Sequence, residues 1–263
     1  MLYYSAVGGK VLPQTQYALN FNGTNQYLQS QTTAQGGLDF VKWDRQQPWT
    51  FFVKLKAKSV NNHAVFSWNT ASGNPIGLSF MFRDGRFEVI FAAPSLLWVK
   101  SSTITSINQD TTIQIVYNGN SLASGITIII DNTVVSNIVQ SDAISGSILS
   151  NTSPSVGYWS TSFPRFFRGT INHISFVNYV KSPAELTADF NAKKQSVGSG
   201  AWLLAPIEPI YTTNGSTQIK SLATTDINNP LPNPVALTNT QGYKLNLVNY
   251  PTPLVQGIDL IQI

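Results

Sequence analysis

From residue 17 to residue 178 apolar and polar positions alternate in short runs, each cut off by Gly, Asn, Ser or Pro. The runs "YALNF", "QYLQS", "WTFFVKLKAK", "HAVFSWN", "IGLSFMFR", "RFEVIFAA", "TTIQIVYN", "GITIIID", "TVVSNIV" and "GTINHISFVNY" follow one another, rich in β-branched and aromatic side chains. Runs of that texture separated by turn residues predict short antiparallel strands of a sandwich or barrel. Two joints carry hairpin chemistry. "RDGR" (residues 83–86) offers an Asp-Gly two-residue turn, and "DNT" (131–133) joins "ITIII" to "VVSNIV", so both pairs are expected to be adjacent and antiparallel.

One stretch departs from this pattern, "FRGTINHISFVNYVKSPAELTADFNAKK" (167–194). Ile171 cannot share a face with Ile174 and Phe176 at period two unless one residue is extra, which predicts a β-bulge near Asn172 and His173. Beyond the strand, Ser182 stands where an N-cap belongs, Pro183 at the first helical position and Glu185 at the acidic position of a capping box. Leu186 and Phe190 then fall on one face at i, i+4, so a single short helix is expected over residues 182–193, laid across an open end of the sandwich as a plug for the core.

After Lys194 the texture changes again. "QSVGSG" reads as a linker, and "APIEPIY", "NNPLPNPVALTN" and "NYPTPLVQGIDLIQI" mix Pro and Asn with isolated apolar residues. Proline removes ladder donors, which argues against further central strands. The division expected is an N-terminal arm (1–16), an all-β domain (17–194) and an extended C-terminal arm (195–263). Leu203, Ile207, Ile210, Leu254, Ile258, Leu260 and Ile261 are its candidate anchors for docking on a partner; the rival is that the arm packs on its own domain as extra strands.

Composition narrows what such a domain can do. Charged residues make up only 11% of the chain, against roughly a quarter in ordinary soluble domains, so the surface is built mainly from amides and hydroxyls. The net charge of +4 is spread too thinly for a nucleic-acid footprint. Lys54, Lys56 and Lys58 alternate with Val53, Leu55 and Ala57, as the solvent face of a strand would. The absence of cysteine excludes disulfides, thiolate metal sites and cysteine catalysis. No apolar run is long enough for a transmembrane helix, and "MLYYSAVGGKVLPQTQ" lacks the basic and apolar regions of a signal peptide, so neither is expected.

Candidate chemistry lies in the aromatic residues. Six Trp and ten Tyr exceed what a core of this size needs. Trp49 and Trp68 sit inside strand patterns and are expected in the core, whereas Trp43, Trp98, Tyr158 and Trp159 occur in turn-rich surroundings. Flat rings beside amides and hydroxyls suit sugar stacking or a protein interface, so these four are the candidate ligand-binding residues.

Two motifs, "ALNFNGTNQYLQ" (18–29) and the strand-helix stretch at 167–194, resemble the first strand pair and the last strand with its helix in concanavalin A-like, laminin-G type jelly rolls. "WTFFVKLKA" and "ITIIIDNTVV" resemble two further elements of that family, in its order, and the likeness spans about residues 17–193. It implies a two-sheet antiparallel jelly-roll sandwich and a lectin-like surface. Where that family carries acids, this chain has Asn22, Gln26, Asn172 and His173, and amides hold calcium less well than carboxylates do. Calcium is therefore disfavoured, and no other metal or cofactor is expected.

Glycosidases on such folds need carboxylates clustered on one strand, and no such cluster is present. Glu88 stands alone and reads as a solvent-face residue, Glu185 is explained by capping, and His63 and His173 lack a neighbouring nucleophile motif. The expectation is a non-enzymatic structural or adhesion module, an oligomer on a virus particle such as a bacteriophage capsid or fibre, binding virion proteins and glycans at the particle surface or outside cells. A free carbohydrate-binding lectin is the alternative.

Overall fold

The computed structural model describes residues 6–7, 10–11, 17–30, 44–70, 75–150, 152, 154–160, 164–193, 202–204, 209–211, 217–220, 244–249 and 260–262. Strands β1 (Ala6–Val7) and β2 (Lys10–Val11) pair only with each other. The following strands are β3 (Tyr17–Asn22), β4 (Gln26–Ser30), β5 (Trp49–Ala57), β6 (His63–Asn69), β7 (Gly77–Arg83), β8 (Arg86–Ala92) and β9 (Leu96–Ile104). Then come β10 (Asp110–Tyr117), β11 (Ile126–Ile130), β12 (Thr133–Val135), β13 (Asn137–Asp142), β14 (Ser155–Val156) and β15 (Arg168–Val177), which leads to helix α1 (Pro183–Ala192). Five short strands complete the chain: β16 (Trp202–Leu204), β17 (Pro209–Tyr211), β18 (Thr217–Lys220), β19 (Lys244–Asn249) and β20 (Leu260–Gln262).

These strands form two large antiparallel sheets, one ordered β12-β11-β10-β5-β15-β3-β20 with β16 also on β15, the other β13-β9-β8-β7-β6-β14-β4-β19-β18-β17. This is the jelly-roll sandwich with a single short helix that the strand pattern predicts. Alternation fills the space between the sheets. Trp49, Phe51, Val53 and Leu55 of β5 meet Leu78, Phe80 and Phe82 of β7 and Phe87, Val89 and Phe91 of β8 in one cluster of buried side chains. Phe51 lies 4.5 Å from Phe80 and 4.7 Å from Phe176, centroid to centroid. Each such side chain, fully buried, contributes on the order of 2 kcal/mol of transfer free energy. Trp49 and Trp68 are core residues, as expected.

The local signals hold. Asp84 and Gly85 take positive φ in the β7–β8 turn, as do Asp131 and Asn132 between β11 and β12. The register of β15 against β5 slips between Ile171 and His173, the site of the expected bulge, and Ile171, Ile174 and Phe176 all reach the core. One expected strand is divided: "TVVSNIV" breaks at Ser136, with β12 on the first sheet and β13 on the second. The Ser102 N–H donates to the Ser136 carbonyl (2.8 Å), drawing the chain towards β9.

Helix α1 has the expected capping box and a left-handed Lys193 as its C-cap, but it does not plug the core. It lies on the outer face of the first sheet. Gln114, whose neighbours Ile113 and Ile115 point inward, donates to the Leu186 carbonyl (2.9 Å), and Leu186 belongs to no core cluster. The outward positions of β5 and β10 include apolar Phe52 and amide Gln114, both buried, and these need a cover. Lys181 and Asp189, buried together, tie the helix down through a 2.6 Å ion pair.

The C-terminal segment contributes backbone pairing to both sheets. Leu203 pairs with Ser175, Leu247 with Leu28, and Leu260 and Ile261 with Leu19 and Ala18. Ile210 pairs with Gln218 within the segment. Ile207, Leu254 and Ile258 lie outside the described residues. This register follows the rival expectation of extra strands on the same domain.

Candidate functional site

Because Phe80, Phe82, Phe87, Val89, Leu97 and Val99 point inward, their neighbours on β7, β8 and β9 form the outer face of the second sheet. Register sets two rows across it: Ser79 beside Ile90 beside Trp98, and Met81 beside Glu88 beside Lys100. The segment between β14 and β15 folds back against this face. The Ser67 hydroxyl can donate to the carbonyls of Tyr158 (2.6 Å) and Trp159 (2.8 Å), and the Trp159 N–H donates to the Arg165 carbonyl (3.2 Å). With the Asn69 amide oriented to satisfy its neighbours, its oxygen accepts from Trp159 Nε1 (2.7 Å) and Ser79 Oγ (2.8 Å), which fixes the indole in place.

Both indoles line a hollow of about 450 Å³, together with Asn69, Ser79, Arg83, Ile90 and others. That volume is in the range of small-ligand sites, roughly 300–1,000 Å³. Cations sit on both rings. The Arg83 guanidinium carbon is 5.0 Å and Lys100 Nζ 5.6 Å from the Trp98 ring centre, and the Arg165 guanidinium is 4.4 Å from that of Trp159.

In the neighbouring row of this face, between Met81 and Lys100, is Glu88. The expectation that it would be a solvent-face residue is corrected: it occupies an outward strand position yet is 0% exposed. Arg83 Nε lies 3.6 Å and Lys100 Nζ 4.0 Å from its oxygens, and the Trp98 N–H is nearby but outside hydrogen-bonding geometry. Burial pushes the Glu88 carboxyl above its ordinary value of 4.5, with Arg83 and then Lys100 opposing the shift. Arg165 is pulled below its ordinary value, first by burial and then by the charge of Arg83.

Of the four residues singled out as ligand-binding, Trp98 and Trp159 are brought together by the hollow. Tyr158 is buried and stacks between Tyr27 (4.4 Å) and Phe166 (5.0 Å), so its ring packs a small satellite cluster and faces no ligand. Trp43 lies outside the described residues. Arg83, Arg165, Asn69 and Glu88 were missed. The β7–β8 hairpin held a usable signal, since a two-residue Asp-Gly turn places Met81 opposite Glu88 and Arg83 opposite Arg86.

The other polar candidates have structural tasks. Asn22 Oδ1 accepts from the N–H groups of Thr24 (2.9 Å) and Asn25 (3.1 Å), and Gln26 Oε1 from Asn22 N (2.9 Å), closing the β3–β4 turn with amides where the resemblance expects acids. His63 Nδ1 bonds the Phe166 carbonyl, and buried His173 has Nε2 3.1 Å from Ser175 Oγ. Among the described residues no three His, Cys, Asp or Glu side chains converge as a metal site would require. Likewise no described helix is long and apolar enough to cross a membrane.

No protein-family model and no curated protein matches this sequence. Solved structures share its fold. A heptameric SAP-like pentraxin from Limulus polyphemus aligns at TM-score 0.50 and 11% identity over 68% of this chain and 83% of its own. The CBM40 of a Ruminococcus gnavus IT-sialidase, bound to α2,3-sialyllactose, aligns at 0.50 and 13% over 65% and 96%. A candidate carbohydrate-binding protein from Bacteroides ovatus aligns at 0.53 and 10% over 95% and 67%. These likenesses show the fold alone, a two-sheet antiparallel jelly-roll sandwich.

Proposed function

We propose that the protein is a non-enzymatic glycan-binding module whose site is the hollow lined by Trp98 and Trp159. The observation that carries this reading is that two indoles line one hollow together with amide, hydroxyl and guanidinium groups. Indole faces accept the C–H faces of pyranose rings, and the polar groups beside them fix orientation. Carbohydrate binding named for two of the structures sharing the fold supports the same reading. The non-enzymatic half rests on the carboxylates. Glycoside hydrolysis needs two flanking the scissile bond, while here no acid among the described residues lines the hollow.

Within this reading the module serves as an adhesion element at the surface of a larger assembly such as a virus particle. Its sparse charge favours that setting over a free lectin. A glycan array tests the binding: wild type should retain a subset of glycans, and Trp98→Ala and Trp159→Ala should each lose them by tenfold or more. Unchanged retention by both variants refutes the site. Release of reducing ends from a polysaccharide panel, lost on Glu88→Gln, refutes the non-enzymatic assignment.

A further inference from the structure

We infer that the hollow takes uncharged pyranoses in which a methyl-bearing group, the methyl of a 6-deoxy sugar or an acetamido, stands where a plain hexose has a hydroxyl. This rests on the glycan-binding reading and specifies its ligand class. The order of strands β9-β8-β7-β6 divides the lining into two sides. On the β8–β9 side Ala92 lies opposite Leu96, and Ala93 and Pro94 carry the apolar surface into the connection between those strands, next to Ile90 and Trp98. On the β6–β7 side the lining is Asn69, Ser79 and Arg83, with Pro75 beside them. One side therefore offers carbon, the other amide, hydroxyl and guanidinium groups. A ligand hydroxyl turned to the β8–β9 side gives up water and meets no polar group on Ile90, Ala92, Ala93, Pro94 or Leu96, a penalty that a methyl group escapes.

The polar side is already partly committed. With the Asn69 amide in its satisfied orientation, its oxygen accepts from Trp159 Nε1 and Ser79 Oγ. Arg83, whose Nε lies 3.6 Å from a Glu88 oxygen, has a buried counter-ion before any ligand arrives. An anionic ligand would compete with Glu88 for that charge, which argues for a neutral one. What remains suits hydroxyls. A hydroxyl oxygen carries two acceptor lone pairs and a guanidinium several N–H donors, so Ser79 and Arg83 keep capacity for one edge of a sugar ring. The ligand class follows from the two sides together: a pyranose with hydroxyls along one edge and a methyl-bearing group at the other.

The experiment is calorimetric titration of the full chain with matched sugars: galactose, 6-deoxygalactose, N-acetylgalactosamine and galacturonic acid, and the corresponding glucose series. In at least one series a methyl-bearing member should bind about fivefold or more tightly than its parent hexose, a difference of about 1 kcal/mol. The deoxy and acetamido arms show which methyl the apolar side accepts, and the uronic acids should bind no more tightly than the hexoses. Leu96→Ser and Ala92→Ser place a hydroxyl on the apolar side and should each bring the ratio of methyl-bearing to parent affinity below about two. Leu96 is 38% exposed, so its variant should fold, and melting curves check both. Hexoses binding as tightly as their methyl-bearing partners, or uronic acids binding most tightly, overturn the ligand class and leave the glycan reading standing. A preference that survives in both variants overturns its assignment to the β8–β9 side. Binding of no sugar overturns the ligand class and the glycan reading together.

Discussion

Replacing Asp189 by Asn tests whether helix α1 is held to the sheet by one buried ion pair. Lys181 Nζ donates to Asp189 Oδ2 at 2.6 Å, and the two side chains are 0% and 2% exposed, so neither charge is compensated by bulk water. The asparagine keeps the shape and removes the negative charge, leaving an ammonium buried beside a neutral amide. Breaking a buried pair from one side costs about 3–5 kcal/mol, several times the value of a surface pair. For a domain of this size that corresponds to a melting temperature lower by about 10 °C. The other attachments of the helix, the Gln114 bond to Leu186 O and the Thr50 hydroxyl bond to Tyr179 O, remain in place, so the variant should fold. Urea denaturation of wild type, Asp189→Asn and the double variant Lys181→Met/Asp189→Leu is the assay. The double variant removes both charges and should recover most of the loss. A single-variant loss below about 1 kcal/mol, or a double variant no more stable than the single, would refute the reasoning.

Three further outcomes follow from the same geometry. Burial holds the Glu88 carboxyl above 4.5 despite Arg83 and Lys100, with Asp84 adding weakly to the rise, so its stabilising contribution is fully present below about pH 4.5 and is lost as pH rises through the raised value. Wild type should therefore lose stability relative to Glu88→Gln across that window, and a flat or inverted difference in denaturation midpoints would contradict the burial argument. Gly169→Ala should destabilise strongly, because φ is +142° there and a Cβ would stand 2.2 Å from the Lys56 carbonyl oxygen; a melting temperature within a degree or two of wild type counts against it. Truncation after Lys194 removes the strands paired to β15, β3 and β4, so the fragment should melt earlier or aggregate, and an unchanged melting temperature would show that the segment adds nothing to the sandwich.

Local grammar was legible in the chain. Asp84-Gly85 and Asp131-Asn132 specify hairpins because few residue pairs adopt two successive positive φ values, and Ser182, Pro183 and Glu185 specify a helix start because they satisfy its orphan N–H groups. The spacing of Ile171, Ile174 and Phe176 specified the bulge, since a period of two admits no other way to bring all three inward. Indoles in turn-rich sequence drew attention to Trp98 and Trp159, although Trp98 lies within strand β9. Tertiary structure alone decided which side of a sheet each element would cover. Helix α1 went to the outer face because buried Phe52 and Gln114 lie there, and no local pattern announces an outward apolar residue in need of a cover. Tyr158 and Trp159 are adjacent in sequence, yet one packs against Tyr27 and the other walls the hollow, a choice made by the Ser67 and Asn69 bonds from β6. Glu88 was read as exposed because strand alternation gives only its side of the sheet; its burial comes from Arg83, Trp98 and Lys100 on the flanking strands, so it was set by register across the sheet and could not be read from the residues beside it.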